Sequence, residues 1–342
     1  MFKRLCGSAK VFAGLPYVCG LISEQSETDL AASTVMQTYW GIDLGGTKIE
    51  GVILSSPSPD AIVIRRRIDT EAHLGYEHIM NRIKLLVDQL RAETGYVPDH
   101  IGFATPGTLD PGTQTMKNCN TTCLNGQPLK QALTTQLNVP VSLANDANCF
   151  ALAEATLGAV PGVVPDFQLM FGVIMGTGVG GGVVVRGHDD KAFVINGLHG
   201  IGGEWGHNIL EENGYECYCG KRGCNEQVLS GPALQRFYAE KSGQQRTLKE
   251  IVDRHRANTD PIASATVERM LEYFGRSVST LINVIDPDVI VLGGGVGNID
   301  ELYTEGVERI KKYIFNDRVV KTPILRPKLG DSAGVFGAAM LQ

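Results

Sequence analysis

Two glycine-rich segments repeat each other at a fixed distance along the chain. Aligning "GIDLGGTKIEGVIL" from Gly41 with "GVIMGTGVGGGVVV" from Gly172 pairs three glycines at a constant offset of 131 residues. Apolar residues stand on both sides of each glycine turn, which is typical of a β-hairpin. The offset is far longer than the unit of a solenoid. Either two glycine-rich strands match by chance, or the chain holds two similar α/β domains that face each other across a cleft.

The segments between and after the hairpins alternate strand and helix patterns. After a third strand in "AIVIRRRI", apolar residues recur at helical spacing and stop at Gly95. Strands in "HIGFATPG" and "VPVSLAND" flank a helix in "PLKQALTTQLN", and another helix follows in "CFALAEATLGA". The second half is more helical, and "DPDVIVLGGGV" then predicts a buried strand before a third glycine turn. This alternation predicts an α/β fold.

The length of 342 residues favours two domains behind an N-terminal extension. We expect the extension at residues 1–38, a small domain at 39–150 that the C-terminal helix 331–342 joins, and a large domain at 151–330. The extension carries early basic residues and a short apolar run, which loosely resemble a signal peptide. Because Pro16 interrupts that run and no convincing cleavage site follows, we expect a disordered or loosely packed segment.

Charge and cysteine content narrow the possible functions. The net charge of −6 argues against a broad surface for nucleic acid, although it allows one small anionic ligand. Eight cysteines in a chain of this length are too sparse for a disulfide scaffold, so we expect mostly reduced thiols in a cytoplasmic protein. No uninterrupted apolar run reaches the roughly 18 residues of a membrane span.

Three glycine turns follow strands, in "DLGGTK" (43–48), "GTGVGGG" (176–182) and "LGGGVG" (292–297). Glycine lets backbone N–H groups approach a ligand, and rows of such groups bind anions. None of the turns matches the Walker pattern or the dinucleotide-binding pattern, and a single glycine hairpin is usually only a hairpin. Together they predict phosphate-binding turns on both sides of a cleft with a third turn near a base, which suits a nucleoside triphosphate.

Two aspartates could serve the chemistry of phosphoryl transfer. Asp146 follows the strand "VPVSL", at the sheet edge where α/β proteins place ligands. There it could accept the proton of an attacking hydroxyl. An Asx turn that caps the next helix is the alternative for Asn145 and Asp146. Asp43, beside the first turn, could hold hydrated Mg²⁺.

One segment carries the ligand set of a structural zinc site. Cys217, Cys219 and Cys224 lie within eight residues, and His207 precedes them by ten. Four sulfur and nitrogen ligands form a closed tetrahedral set for Zn²⁺. A disulfide would leave one thiol over, and a thioredoxin-type site requires a Cys-x-x-Cys at a helix start. The segment therefore predicts structural zinc.

These motifs together resemble one family. "GIDLGGTK", "ATPG", "LANDANCFALAE", "GTGVGGG", "GEWGH", "CYCGKRGCNEQ", "DPDVIVLGGGV" and "GDSAGVFGAA" are similar to those of the ROK family (repressors, open reading frames and sugar kinases), within the actin-like ATPase superfamily. The resemblance spans about residues 39–341. It implies two actin-like, ribonuclease H-like domains flanking a cleft, and transfer of phosphate from ATP with Mg²⁺ to the 6-hydroxyl of a hexose.

The resemblance also implies roles for individual residues. Asp146 is the general base, and His207 binds zinc with one ring nitrogen and a sugar hydroxyl with the other. The further sugar-binding residues implied are Gly107, Asn118, Asn145, Glu204 and Glu226. The residues implied to bind phosphates or adenosine are Asp43, Gly45, Gly46, Thr47, Lys48, Gly176, Thr177, Gly178, Gly294 and Gly295.

Within the family, "KNCNTTCLNGQPL" favours the bacterial fructokinase and mannokinase branch, so we expect fructose or mannose as the substrate. Kinases of N-acetylglucosamine, N-acetylmannosamine or glucose are the alternative. Cys123 and a longer segment at 188–195 depart from that branch. A repressor or a non-catalytic sugar sensor is the alternative from another class; too few residues precede the first strand for a DNA-binding domain. We also expect a homodimer.

Overall fold

The computed structural model describes residues 37–341, and the first half of this range forms a five-stranded sheet. Its strand order is β3-β2-β1-β4-β7, in which β1 to β3 are antiparallel neighbours whereas β1, β4 and β7 run parallel. The elements are β1 (Tyr39–Leu44), β2 (Lys48–Leu54), β3 (Ile62–Asp69), α1 (Tyr76–Thr94), β4 (Ile101–Thr105), β5 (Thr108–Leu109), β6 (Met116–Lys117), α2 (Leu129–Leu137), β7 (Val141–Asn145) and α3 (Asp146–Thr156). β5 and β6 pair as a separate small hairpin.

The second half forms another five-stranded sheet, in the order β10-β9-β8-β11-β12. The elements are β8 (Leu169–Met175), β9 (Val179–Arg186), β10 (Ala192–Val194), α4 (Glu226–Leu229), α5 (Gly231–Ser242), α6 (Leu248–Arg256), α7 (Pro261–Ile285), β11 (Val289–Gly293), α8 (Gly294–Gly297), α9 (Glu305–Ile310), β12 (Ile324–Leu325) and α10 (Ala333–Met340). Short 3₁₀ turns lie at Ala72–Leu74, Thr122–Leu124, Trp205–His207, Asp300–Tyr303 and Gly330–Ser332.

The two sheets share one topology. In each sheet three consecutive strands pair antiparallel, and the first of them in sequence (β1 or β8) also pairs with a parallel strand, beside which a second parallel strand lies. The repeated segments both form hairpins, but their registers differ by one residue: Gly41 pairs with Val52 in the first sheet, whereas Gly172 pairs with Gly182, not with Val183, in the second. The α/β fold class is confirmed. The division into domains at 39–150 and 151–330 stays a prediction.

The C-terminal helix α10 packs on the first sheet and crosses α3. A Cβ atom at Gly102 would lie 1.8 Å from the carbonyl oxygen of Ala338, and one at Gly337 would lie 1.8 Å from that of Cys149. Only glycine lets the backbones approach this closely. The chain's end thereby covers strands β1 and β4, more than 230 residues away in sequence.

A buried carboxylate holds the segment that leads into α10. Glu154, on α3, is completely buried and accepts hydrogen bonds from the backbone N–H groups of Ala159, Lys328 and Leu329 at 2.9–3.0 Å. Charge-assisted hydrogen bonds of this kind compensate for the loss of water around a buried carboxylate. Glu154 therefore ties the connection between β12 and α10 to α3.

The predicted extension at residues 1–38 lies almost wholly outside the described residues. Residues 37–341 pack into one compact unit. Every helix in this range is too short or too polar to span a lipid bilayer.

Candidate functional site

The strand β7 ends at Asn145, and α3 begins at Asp146. The sequence interpretation instead extended the strand through Asp146 and began the helix at Cys149. The boundary lies earlier because the Asn145 side-chain oxygen accepts the N–H of Asn148 at 2.7 Å, which caps the helix. The Asx-turn alternative is thus realised at Asn145. Its side-chain oxygen is occupied by the cap, which leaves the amide N–H₂ group for any ligand.

Asp146 stands at the first turn of α3 and is exposed to solvent, although its carboxyl group is largely surrounded by protein atoms. Its Oδ1 accepts the N–H of Ala147 at 2.8 Å. Desolvation raises its pKa above the ordinary aspartate value, whereas the hydrogen bond to Ala147 opposes the rise. The negative charge of Asp146 also raises the pKa values of Asp43 and Glu204, so the three carboxylates lie near one another. The fold thus brings these three predicted site residues together.

Asp43, on β1, has a pKa raised to about 6. Burial is the largest cause, and the charges of Asp146 and Glu50 add to it. Glu50 lies opposite Asp43 across the hairpin and binds Arg65 and Arg67 on β3. A carboxyl group that is poised near neutrality in a cleft is typical of a functional site.

The raised pKa of Asp43 predicts a pH-dependent gain in stability on its removal. Because the folded state holds the Asp43 proton more tightly than the unfolded chain, the stability it contributes is lost as pH rises from about 4 through about 6. We expect Asp43→Asn to raise the free energy of unfolding by about 2 kcal/mol at pH 7.5, and by less at pH 5. Urea unfolding without metal or nucleotide measures this, with exposed Asp60→Asn as the control. A gain independent of pH would contradict it.

The four predicted zinc ligands converge. Their ligand atoms all lie within 4.8 Å of one another, with Cys217 Sγ 3.5 Å from His207 Nδ1 and Cys219 Sγ 3.5 Å from Cys224 Sγ. A zinc tetrahedron with Zn–S bonds of about 2.3 Å has edges of about 3.8 Å, so this arrangement fits the metal. The sulfur separation is well beyond the ~2.05 Å of a disulfide. Zinc itself stays a prediction.

The zinc segment adjoins the predicted sugar-binding carboxylates. Burial is the largest cause that raises the pKa of Glu204. The charge of His207 lowers that pKa, whereas the negative charges of Asp146 and Glu226 raise it further. Glu226 Oε2 accepts the N–H of Val179 at 3.1 Å, directly after the second glycine turn. A Cβ atom at Gly178 would lie 2.7 Å from the same oxygen. These contacts connect the carboxylates to that turn.

Tyr218 is a site residue that the sequence analysis missed. Its hydroxyl lies 2.9 Å from His207 Nε2. Because Nδ1 faces Cys217, Nε2 is the ring nitrogen left for the sugar hydroxyl that the family resemblance implies. Partial desolvation is the first cause that raises the pKa of Tyr218 to about 12, and the Glu226 carboxylate is the second. Its position between two predicted zinc ligands was the available signal, because zinc binding would fix the backbone on both sides of it.

Gly107 and Asn118 lie at the ends of the small β5–β6 hairpin, and both have left-handed backbones, with φ of 112° and 58°. A Cβ atom at Gly107 would approach Cys119 Sγ to 2.6 Å. The neighbouring Lys117 binds Asp110 at 2.8 Å and donates to the carbonyl oxygen of His199 at 2.7 Å. The hairpin is thereby joined to the loop that leads to Glu204.

A cavity of about 580 Å³ opens beside the second glycine turn. Of the predicted nucleotide residues, Gly176, Thr177 and Gly295 line it. Gly294 packs against Met175, where a Cβ atom would meet the carbonyl oxygen at 2.3 Å. The walls that the sequence analysis missed come mainly from α5, α6 and α8: Gly231, Pro232, Gln235, Leu248, Lys249, Val252, Asp253, Arg256, Val296, Asn298 and Ile299.

The first glycine turn lies outside the walls of this cavity. Gly46, Thr47 and Lys48 are exposed, and Gly45 is half-buried. Thr70 fixes the turn by donating its hydroxyl to the carbonyl oxygen of Gly45 at 2.7 Å. The turn belongs to the first sheet, whereas the cavity is built on the second. A phosphate contact at residues 45–48 stays a prediction.

The two departures from the fructokinase pattern lie in different surroundings. Cys123 is half-buried and packs against the core under the first sheet. Residues 189–194 line a separate cavity of about 730 Å³, which also borders Leu152 and Thr156 on α3. At 1.5 Å per residue these later turns lie about 9 and 15 Å along the helix from Asp146. The longer segment thus borders later turns of α3, whereas Asn196, which directly follows it, accepts a hydrogen bond from Asn148 in the first turn at 3.1 Å.

Comparison with known proteins gives one family. Residues 39–342 match the ROK family. The N-acetyl-D-glucosamine kinase of Vibrio parahaemolyticus is 34% identical over 314 residues, which are 89% of this chain and 99% of that protein.

Solved structures agree with this result. The ROK hexokinase from Thermus thermophilus is 31% identical, with a TM-score of 0.76 over 89% of this chain and 97% of that one. A ROK family glucokinase from Streptomyces griseus, solved in complex with glucose and AMPPNP, is 25% identical, with a TM-score of 0.67 over 88% and 98% of the two chains.

Proposed function

The chain belongs to the ROK family, and from this premise we propose that it acts as an ATP-dependent kinase that phosphorylates the 6-hydroxyl of N-acetyl-D-glucosamine. Sugar kinase activity follows from the named relatives that match nearly the whole described chain. For the acceptor sugar, the similarity to the N-acetyl-D-glucosamine kinase supports N-acetylglucosamine better than the fructose or mannose that the sequence motifs suggested. A preference for fructose or mannose stays unconfirmed.

One contact carries the proposal. Glu226 adds to the raised pKa of Glu204, so the two carboxylates are neighbours, and Glu226 accepts the N–H of Val179, the residue after Gly176–Gly178. Gly176 and Thr177 of this turn line the cavity. A sugar bound at the carboxylates and a triphosphate bound along the turn would therefore share one rigid element. Such positioning of donor and acceptor supplies much of the catalysis in phosphoryl transfer.

In this proposal Asp146 accepts the proton of the sugar 6-hydroxyl as the oxygen attacks the γ-phosphate. Glu204, Glu226 and His207 hold further hydroxyls, with Asn145, Gly107 and Asn118 at the rim. The raised pKa of Asp146 suits a general base, because proton transfer is most efficient when the pKa of the base approaches the working pH. The cleft would exclude water that could otherwise accept the phosphate.

The cavity suits the nucleotide. Leu248, Val252, Val296 and Ile299 offer apolar walls for a base. The N–H of Gly176 is donated to the carbonyl oxygen of Gly178 at 2.9 Å, so the N–H groups of Thr177 and Gly178 are those proposed for phosphates. Mg²⁺ bound with ATP neutralises phosphate charge, and Asp43 is the proposed carboxylate beside it. Zinc, held by His207 and the three cysteines, would be structural. The homodimer and the cytoplasmic location remain proposals.

A coupled assay of ADP release with a panel of sugars tests the proposal. We expect kcat/KM for N-acetylglucosamine to exceed those for glucose, fructose and mannose by at least about tenfold, since a site that pairs with the acetamido group rejects sugars that lack it. N-acetylmannosamine carries that group in the opposite configuration at C2, so its kcat/KM tests whether the site also reads the direction of the group. The 6-deoxy analogue of N-acetylglucosamine is the control, and it should bind without turnover. A higher kcat/KM for fructose or mannose than for N-acetylglucosamine would instead support the fructose or mannose kinase that the sequence motifs suggested. Binding without turnover of any sugar would indicate a sensor.

A further inference from the structure

Tyr218 binds the ring nitrogen of His207 that the proposed function assigns to the sugar. The Tyr218 oxygen lies 2.9 Å from His207 Nε2, and the two rings meet edge to face at 5.1 Å between centroids. Yet Tyr218 is 82% exposed as a residue. Nothing in the described core therefore fixes the phenol in this position, and its hydrogen bond to His207 is the one polar contact that the structure gives its hydroxyl.

The other nitrogen of His207 faces the predicted metal ligands. Nδ1 lies 3.5 Å from Cys217 Sγ and belongs to the cluster of four ligand atoms. A histidine that binds a metal through Nδ1 is a neutral imidazole whose single proton sits on Nε2. His207 then has one N–H to donate at the sugar side. Tyr218 and a sugar hydroxyl cannot both receive it at full strength.

We propose that the Tyr218 hydroxyl competes with the sugar for the Nε2–H of His207 and thereby lowers sugar affinity. The incoming sugar hydroxyl displaces the phenol, which swings into solvent at little packing cost because most of it is exposed. Each sugar that uses His207 therefore binds with the loss of one existing hydrogen bond, which weakens the binding of all such sugars by about the same factor. This inference rests on the proposed function and adds a competitor to its sugar site.

The variant Tyr218→Phe tests the inference, because it removes the competing hydroxyl and keeps the ring. In the full-length, zinc-loaded protein, we expect N-acetylglucosamine to bind about threefold to tenfold more tightly by isothermal titration calorimetry, as the loss of one competing hydrogen bond predicts. KM for the sugar should fall by a similar factor, and kcat should stay unchanged. Zinc content per chain, measured on the same samples, should be unaltered.

Tyr215→Phe is the matched control in the same segment. The Tyr215 hydroxyl binds Glu240, and its ring stacks on Arg236 at 3.8 Å, away from His207. Its loss should leave sugar affinity unchanged. Weaker or unchanged sugar binding in Tyr218→Phe would overturn the inference, whereas a wild-type protein that binds no sugar of the panel would overturn the proposed function itself.

Discussion

Replacing Asp146 with asparagine is expected to lower kcat by at least about 10³-fold while the Kd for the sugar changes by less than about threefold. Asparagine keeps the shape of the side chain and can still accept the N–H of Ala147 through its oxygen. An amide cannot take the proton of the attacking hydroxyl, and general-base catalysis contributes about 10²–10⁴ to rates. Single-turnover kinetics with ATP, together with calorimetric titration of the sugar, separates the two effects.

The same variant should be more stable than wild type near neutral pH. Desolvation raises the pKa of Asp146, so the ionised form is disfavoured in the folded protein, and the amide removes that charge. Asp88→Asn is the control, since Asp88 pairs with Lys84 on the surface of α1. A loss of sugar affinity equal to the loss of turnover would identify Asp146 as structural, and a kcat within tenfold of wild type would exclude it as the base.

Removal of the predicted zinc should cost sugar affinity and stability together. Cys219→Ser, or exhaustive chelation, is expected to weaken sugar binding at least tenfold and to lower the free energy of unfolding by on the order of 3 kcal/mol. The reason is geometric. The four ligands join His207 to residues 217–224, and this segment runs directly into Glu226 at the start of α4.

Cys219 is the informative ligand to change because its side chain is exposed, so serine removes a metal ligand without opening a cavity in the core. Cys123→Ser is the matched control: Cys123 is half-buried and lies outside the ligand cluster. Elemental analysis should find about one zinc per chain in wild type and in the control, and much less in Cys219→Ser. A zinc-free protein with normal sugar affinity would show that the segment does not support the sugar site.

Much of the site could be predicted because its residues are tied to local patterns. Asp146 follows a strand that ends in a capping asparagine, and both features are readable along a few residues. The cysteine cluster spans only eight positions, so a short turn suffices to close it. The helix start at Asp146 was misplaced by three residues because a cap competes with strand extension, and periodicity alone does not decide between them.

The remaining features depend on contacts between distant segments. The cavity beside Gly176 has walls from α5, α6 and α8, whose sequences read only as amphipathic helices or glycine turns. Lys117 reaches the carbonyl oxygen of His199 across 82 positions. No local pattern encodes such a contact, because it arises only when two separately formed elements pack.

By itself the sequence determined the α/β class, the duplicated hairpins, a convergent set of zinc-type ligands and a carboxylate at a strand end. Each of these follows from residue patterns that can be read along the chain: periodicity for the class, a glycine pattern for the hairpins, and close spacing for the ligands and the carboxylate. Only the tertiary structure decided that Glu226 accepts the N–H of Val179 beside the second glycine turn, that Tyr218 lies on His207, and that Glu154 binds the segment leading into α10. Those arrangements depend on which faces pack together, and packing is settled by the fit of side chains across the whole chain.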